Sequence, residues 1–148
     1  MPTLEERNKA TLRLFENLLG SGNAEEVTRA IDEFVAPDVL MRTPLPLDST
    51  GAAAMKEVFG RLHGAFPDLH VEIDDLIAEG DKVVARNTVT GTHRGEFMGL
   101  PPTGRKVRYD EIFVVRFADG RMVETWGVVD MASLMRQLGL SAGPPVAG

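Results

Sequence analysis

The sequence predicts an α+β fold in which N-terminal helices are wrapped by a curved antiparallel sheet that leaves an internal pocket. Three observations lead there. Apolar residues recur at helical spacing in the first half, interrupted by one short strand. In the second half the period changes from 3.6 to 2. The later segments are joined by short glycine-containing turns, so they pair as hairpins and not through crossover helices. Strands of about 8 to 11 residues exceed the usual length, and long strands curl into a cone around whatever they cover.

The elements follow in order. Thr3 with Glu6 is a capping box that starts a helix, and Leu4, Thr11, Leu12, Phe15, Leu18 and Leu19 form its stripe. Gly20-Ser21-Gly22 ends it. Asn23 with Glu26 starts a second helix, in which Val27, Ala30, Ile31 and Phe34 lead to Pro37. Residues 39–43 read as a short strand and residues 44–50 as a proline-broken loop. Residues 51–65 read as a third helix with Met55, Val58, Phe59, Leu62 and Phe66 as its stripe. Leu69, Val71 and Ile73 then alternate with His70, Glu72 and Asp74. Glu79-Gly80-Asp81 is a hairpin turn, and a strand runs on to Thr92 or His93. Residues 94–105 hold three glycines with Pro101 and Pro102 and must be a loop. Residues 107–117 form a long strand, Ala118-Asp119-Gly120 a turn, and residues 122–129 the last strand. Asp130 caps a short helix that Gly139 stops.

The length of 148 residues suits one domain, expected over residues 1–140 with a flexible tail at 141–148. A net charge of −6 argues against a nucleic-acid partner, which needs a basic footprint. With no cysteine there is no disulfide, thiolate nucleophile or zinc–thiolate site. No run approaches the ~18 apolar residues of a membrane span, and the N-terminus lacks a signal-peptide pattern. The simplest expectation is a cytoplasmic protein with no membrane partner.

Function is sought where polar residues interrupt apolar strand faces, because each would cost free energy if buried alone. Val107, Tyr109, Glu111, Phe113, Val115 and Phe117 share a face on which Glu111 is the exception. Asn87 and His93 interrupt the face of Val83, Ala85 and Val89. Asp75 shares parity with Leu69, Val71, Ile73 and Ile77, although a bulge there would turn it outward. The last strand has ambiguous parity, with Met122, Trp126 and Val128 opposite Val123, Thr125 and Val129. The expected site therefore has Glu111 and His93 as catalytic acid/base groups. Tyr109, Asn87, Phe113, Trp126 and Asp75 bind the substrate around them, joined from the first half by Phe15, Phe59 and Met41. His93 has an alternative role, holding the glycine-rich loop that follows it. Gly91-Thr92-His93-Arg94-Gly95 fits neither a dinucleotide nor a phosphate loop, no nucleophile elbow is present, and His63, His70 and His93 fall on different elements. No metal and no cofactor are expected.

The run Gly91-Thr92-His93-Arg94-Gly95-Glu96-Phe97-Met98-Gly99-Leu100-Pro101-Pro102-Thr103-Gly104-Arg105 resembles the signature loop of SnoaL-like polyketide cyclases. Arg116-Phe117-Ala118-Asp119-Gly120-Arg121-Met122-Val123-Glu124-Thr125-Trp126 and Gln137-Leu138-Gly139 continue the likeness, which spans roughly residues 4–140. The resemblance implies the cone of the nuclear-transport-factor-2-like superfamily and a hydrophobic small-molecule ligand. It also implies ring closure by cofactor-free intramolecular aldol condensation. That chemistry uses a pocket aspartate on the last strand, whose place is Gly127 here, and a histidine and glutamine whose places are Phe113 and Glu111. Glu111 would then stand in for the missing aspartate. Cyclisation, isomerisation, dehydration and epoxide opening all fit. A non-catalytic binding domain is the alternative. Ile112 and Val114 interrupt the polar face of their strand, so a covered outer face, and hence a homodimer, is expected.

Overall fold

The computed structural model describes residues 1–20, 23–43 and 47–140. The tail from residue 141, expected to be flexible, lies outside the described residues, as do parts of the loops at 20–22 and 44–50.

Both predicted N-terminal caps form. Thr3 Oγ1 accepts from Glu6 N at 3.1 Å to start α1 (Leu4–Leu19). Asn23 Oδ1 accepts from the amides of Glu25 and Glu26 to start α2 (Ala24–Phe34). β1 (Val35–Arg42) follows α2 without a loop, so the strand begins four residues earlier than expected and contains Pro37. The proline is tolerated because β1 is an edge strand. α3 (Gly51–Ala65) matches its expected span. β2 (His70–Glu79), β3 (Lys82–Thr92), β4 (Lys106–Ala118) and β5 (Arg121–Val129) follow, then α4 (Met131–Gln137).

The five strands form one sheet in the order β1-β5-β4-β3-β2. β2 to β5 pair antiparallel through consecutive connections, and β1 alone runs parallel to its neighbour β5. The sheet is curved. α1 crosses β2 and β3, α3 lies on β1, and α4 lies on β4. Gln137 ties α4 to the start of β4 by exchanging two hydrogen bonds with the Arg108 backbone, at 2.7 and 2.8 Å, as a neighbouring strand would.

Two register breaks decide which side chains face inward. Between Ile73 and Asp75 the pairing of β2 with β3 gains a residue, and the alternation flips. Val71 and Ile73 face the helices before the break. Leu76 and Ala78 do so after it, leaving Ile77 63% exposed, opposite to expectation. Between Arg116 and Phe117 the pairing with β5 shifts in the same way, which resolves the ambiguous last strand. Met122 and Thr125 point inward and are buried, while Trp126 and Val128 point outward.

The inner side chains form two apolar clusters. One centres on Leu12, Phe15, Ile31, Met55, Val115 and Met122. The other centres on Phe66, Val89, Phe97, Val107, Tyr109 and Leu134. The cavity is walled by members of both.

Candidate functional site

The cavity measures about 110 Å³, several times what one ordered water needs. Helix stripes supply one wall through Leu12, Phe15, Met55 and Phe59. The inner sheet face supplies the other through Tyr109, Glu111, Phe113, Thr125 and Val129. Met41, Phe97, Met131 and Leu134 also line the cavity. Phe15 and Phe59 meet edge to face, with centroids 6.5 Å apart.

Two carboxyl groups break this apolar lining. Glu111 comes from the middle of β4, and Glu16 comes from the buried stripe Leu12, Phe15, Leu19 of α1. Asn87, opposite Glu111 on β3 and 1% exposed, joins them. Its Nδ2 donates to Glu111 Oε1 at 3.1 Å and to Glu16 Oε1 at 3.2 Å. One nitrogen therefore holds two carboxyl oxygens about 6 Å apart at most. No ion pair reaches either group among the described residues.

Burial is the main influence on both groups. It pushes the Glu111 carboxyl up to about 7, against a smaller downward pull from the Asn87 bond. Burial likewise raises Glu16 to about 7, with the Asn87 bond lowering it, the Glu111 charge raising it and Arg13 lowering it. Were both ionised, two unit charges ~6 Å apart would repel by about 3 kcal/mol at an effective dielectric constant of ~20. Beside them, burial and then the Glu111 charge push the Tyr109 phenol upward, so it stays a proton-bearing donor. The Tyr109 hydroxyl has no hydrogen-bond partner among the described residues.

Of the candidates named from the sequence, Glu111, Tyr109, Phe113, Phe15, Phe59 and Met41 lie on the cavity wall. Asn87 stands behind the wall and reaches the cavity only through Glu111 and Glu16. His93, expected as a catalytic group, is 0% exposed and does not line the cavity. Its Nδ1 accepts from Thr103 N at 3.2 Å and lies 3.0 Å from Thr103 Oγ1, and its backbone bonds Gly104 and Arg105. The ring packs against Phe66, so His93 closes the base of the loop, its alternative role. Trp126 lies on the outer sheet face with Lys82 Nζ 5.9 Å from the ring centroid, because the β5 register shift reversed its parity. Asp75 is turned outward by the β2 break and pairs with Arg86 at 2.7 Å.

Gly127 faces Phe113 across β5 and β4. A Cβ built on Gly127 would overlap Cε1 of that ring and lie 2.8 Å from Cζ. The aromatic ring thus occupies the space of a side chain at 127, and Gly127 does not enlarge the cavity.

Sequence reading passed over Glu16, Thr125 and Phe97. Glu16 had a signal, since it is four residues after Leu12 and three before Leu19, on the apolar stripe itself. Among the described residues no three His, Asp or Glu side chains gather to hold a metal ion. No described helix is long and apolar enough to cross a membrane.

The model of the SnoaL-like polyketide cyclase family matches residues 9–138. The chain is 28% identical to nogalonic acid methyl ester cyclase of Streptomyces nogalater over 117 residues, covering 76% of this chain and 85% of that one. It is also 28% identical to the aklanonic acid methyl ester cyclase DnrD of Streptomyces peucetius, over 80% of this chain and 81% of the relative. Among solved structures, TsrD from Streptomyces laurentii superposes with a TM-score of 0.76 at 30% identity, covering 88% and 96% of the two chains. A SnoaL-like protein from Jannaschia sp. CCS1 superposes with a TM-score of 0.79 at 28% identity, covering 97% and 98%. With the cone, the apolar cavity and a family match over most of its length, this chain belongs to the SnoaL-like polyketide cyclase family.

Proposed function

We propose that this protein is an enzyme that acts on a neutral, largely apolar polyketide-like molecule by acid/base catalysis without a cofactor, with Glu111 moving the proton. The observation that carries this reading is the Glu111 carboxyl on an apolar cavity wall with no cation beside it. A carboxyl raised to about 7 is divided between acid and base forms near neutral pH, the condition for proton shuttling. In the ionised form Glu111 takes a proton from a carbon next to a carbonyl. The Tyr109 O–H donates to the developing enolate oxygen. The protonated Glu111 then returns its proton to the product oxygen or carbon. Ring closure, double-bond isomerisation and dehydration share this sequence. Epoxide opening would use the same carboxyl on water. Glu111→Gln tests the reading: it should lower turnover at least ~100-fold while ligand binding persists.

A second reading is supported by Phe113 and Gly127. The two places where the resemblance implies a histidine and an aspartate hold a ring and the hydrogen beneath it, a purely apolar patch. A binding protein that holds its ligand unchanged fits this patch. Recovery of a bound methyl ester, unaltered after long incubation with the parent protein, would favour it.

The same proposal includes a homodimer in the cytoplasm. Ile77, Val84, Val114 and Trp126 pair in register across four strands on the outer face, flanked by Ile112 and by Val128 at 73% exposure. A second copy would cover this apolar band.

A further inference from the structure

We infer that Glu16, joined to Glu111 through the Asn87 amide, is a positioning residue that holds the second carboxyl of a one-proton pair. This deepens the acid/base reading of Glu111 and rests on it for its catalytic meaning, though not for its test.

The geometry comes from three elements. The helical stripe Leu12, Phe15, Glu16, Leu19 turns a carboxyl toward the sheet where an apolar residue would ordinarily sit. Asn87 occupies an inward position of β3 among Val83, Ala85 and Val89, again where an apolar residue would pack. Glu111 faces it on β4. Three polar side chains in an apolar interior are costly unless they satisfy one another. Asn87 has two N–H donors on one nitrogen and gives one to each carboxyl.

The pair is unevenly placed. Glu16 is 6% exposed, and its Oε2 is buried with no hydrogen-bond partner. A full charge on an oxygen in that position would be offset only by Arg13, with which it forms no ion pair, whereas a proton there leaves a neutral hydroxyl that costs far less to bury. Glu111 borders the cavity, and its Oε2 has no hydrogen-bond partner among the described residues. Both side chains line the cavity, but of the two unpartnered oxygens only that of Glu16 is fully enclosed, so the single negative charge of the pair rests on Glu111 and the single proton on Glu16. The charged and titratable groups facing the pair are few. Arg13 lies on the same helix as Glu16, Tyr109 lies two residues from Glu111 on β4, and β3 contributes only the neutral Asn87.

Glu16 acts on chemistry through Glu111. While Glu16 stays protonated, Glu111 works as a lone buried carboxylate. When Glu16 ionises, the added like charge makes Glu111 hold its proton more tightly. Carboxyl groups coupled in this way titrate as a pair, in two steps that neither owns.

The test is a ¹³C NMR titration of the ligand-free protein with its glutamate carboxyls labelled. In the parent, the Glu111 signal should follow two steps separated by at least about one pH unit. Glu16→Gln should leave Glu111 with one step, at lower pH than the parent's upper one. By reciprocity, Glu111→Gln should shift Glu16 by the same amount. A single Glu111 step in the parent overturns the inference, and this arm needs no variant to fold. An unmoved Glu111 midpoint in Glu16→Gln overturns it equally. The outcome is separable from the catalytic reading. Coupled titration in a protein whose Glu111→Gln variant turns over normally would sink the catalysis and keep the pair. Uncoupled titration with an inactive Glu111→Gln would do the reverse.

Discussion

The Phe113 ring covers Gly127 so closely that a Cβ at residue 127 would lie inside its van der Waals envelope. The two residues are direct partners across β4 and β5, so each sets what the other can be. Gly127→Ala should destabilise the protein by about 1–3 kcal/mol, the usual cost of overpacking. Combining it with Phe113→Ala should cost less than the sum of the single changes, by at least ~1 kcal/mol. Denaturant unfolding of the four proteins measures this, and strict additivity would refute the contact. The same relation explains why an aspartate introduced alone at 127 should unsettle the fold, and why it needs a smaller partner at 113.

The buried carboxyls give stability a definite pH dependence. Both Glu16 and Glu111 rise from 4.5 to about 7 on folding, so the folded protein binds more protons than the unfolded chain in that window. Their contribution is fully present below pH 4.5 and is lost as pH climbs through 7. Moving a carboxyl's midpoint by one pH unit changes stability by about 1.4 kcal/mol, so ionising the pair costs a few kcal/mol in all. Chemical denaturation between pH 4.5 and 8 should show the parent losing stability with a steeper slope than Glu111→Gln. Equal slopes would contradict the burial of that charge.

His93 bonds the loop and does not line the cavity, so it is expected to take no proton from substrate. His93→Asn, whose Oδ1 can still accept from Thr103 N, should keep turnover well short of the ~100-fold loss that removing a general acid/base brings. His93→Ala should cost about 1–3 kcal/mol of stability by leaving that amide without its partner, and should speed amide exchange at Thr103 and Gly104. A hundredfold loss in His93→Asn with the loop amides still protected would restore a catalytic role.

The outer apolar band makes its own prediction. Sedimentation at micromolar concentration should show a dimer, and Val128→Lys should give a monomer with an unchanged fold. A parent that sediments only as a monomer would refute the interface.

The legible parts of this sequence were those where one pattern ran long enough to fix itself. The thirteen residues of β4 alternate without a break over Tyr109, Glu111 and Phe113, so the inward carboxylate was readable directly. The same arithmetic failed where a strand carried a hidden extra residue. The β2 break sent Asp75 and Ile77 outward, and the shift between β4 and β5 did the same for Trp126. A bulge changes parity without leaving a hydrophobic signal. Pro37 stopped the reading of α2 where an edge strand had already begun. Glu16 escaped because a helical stripe is searched for its apolar members. Its partner Asn87 is 71 positions away, a pairing only the fold creates. His93 was legible as a buried polar residue, but not as one turned from the cavity into its own loop.

Acid/base chemistry by Glu111 inside the cavity is tested most directly by one measurement. Parent and Glu111→Gln proteins are each incubated with nogalonic acid methyl ester, the compound named for one relative. Dissociation constants and single-turnover rates are then followed by chromatography. The expected result is conversion by the parent, a rate at least ~100-fold lower in the variant, and comparable binding by both. Equal rates in the two proteins, or a bound ester that the parent returns unchanged, would contradict it.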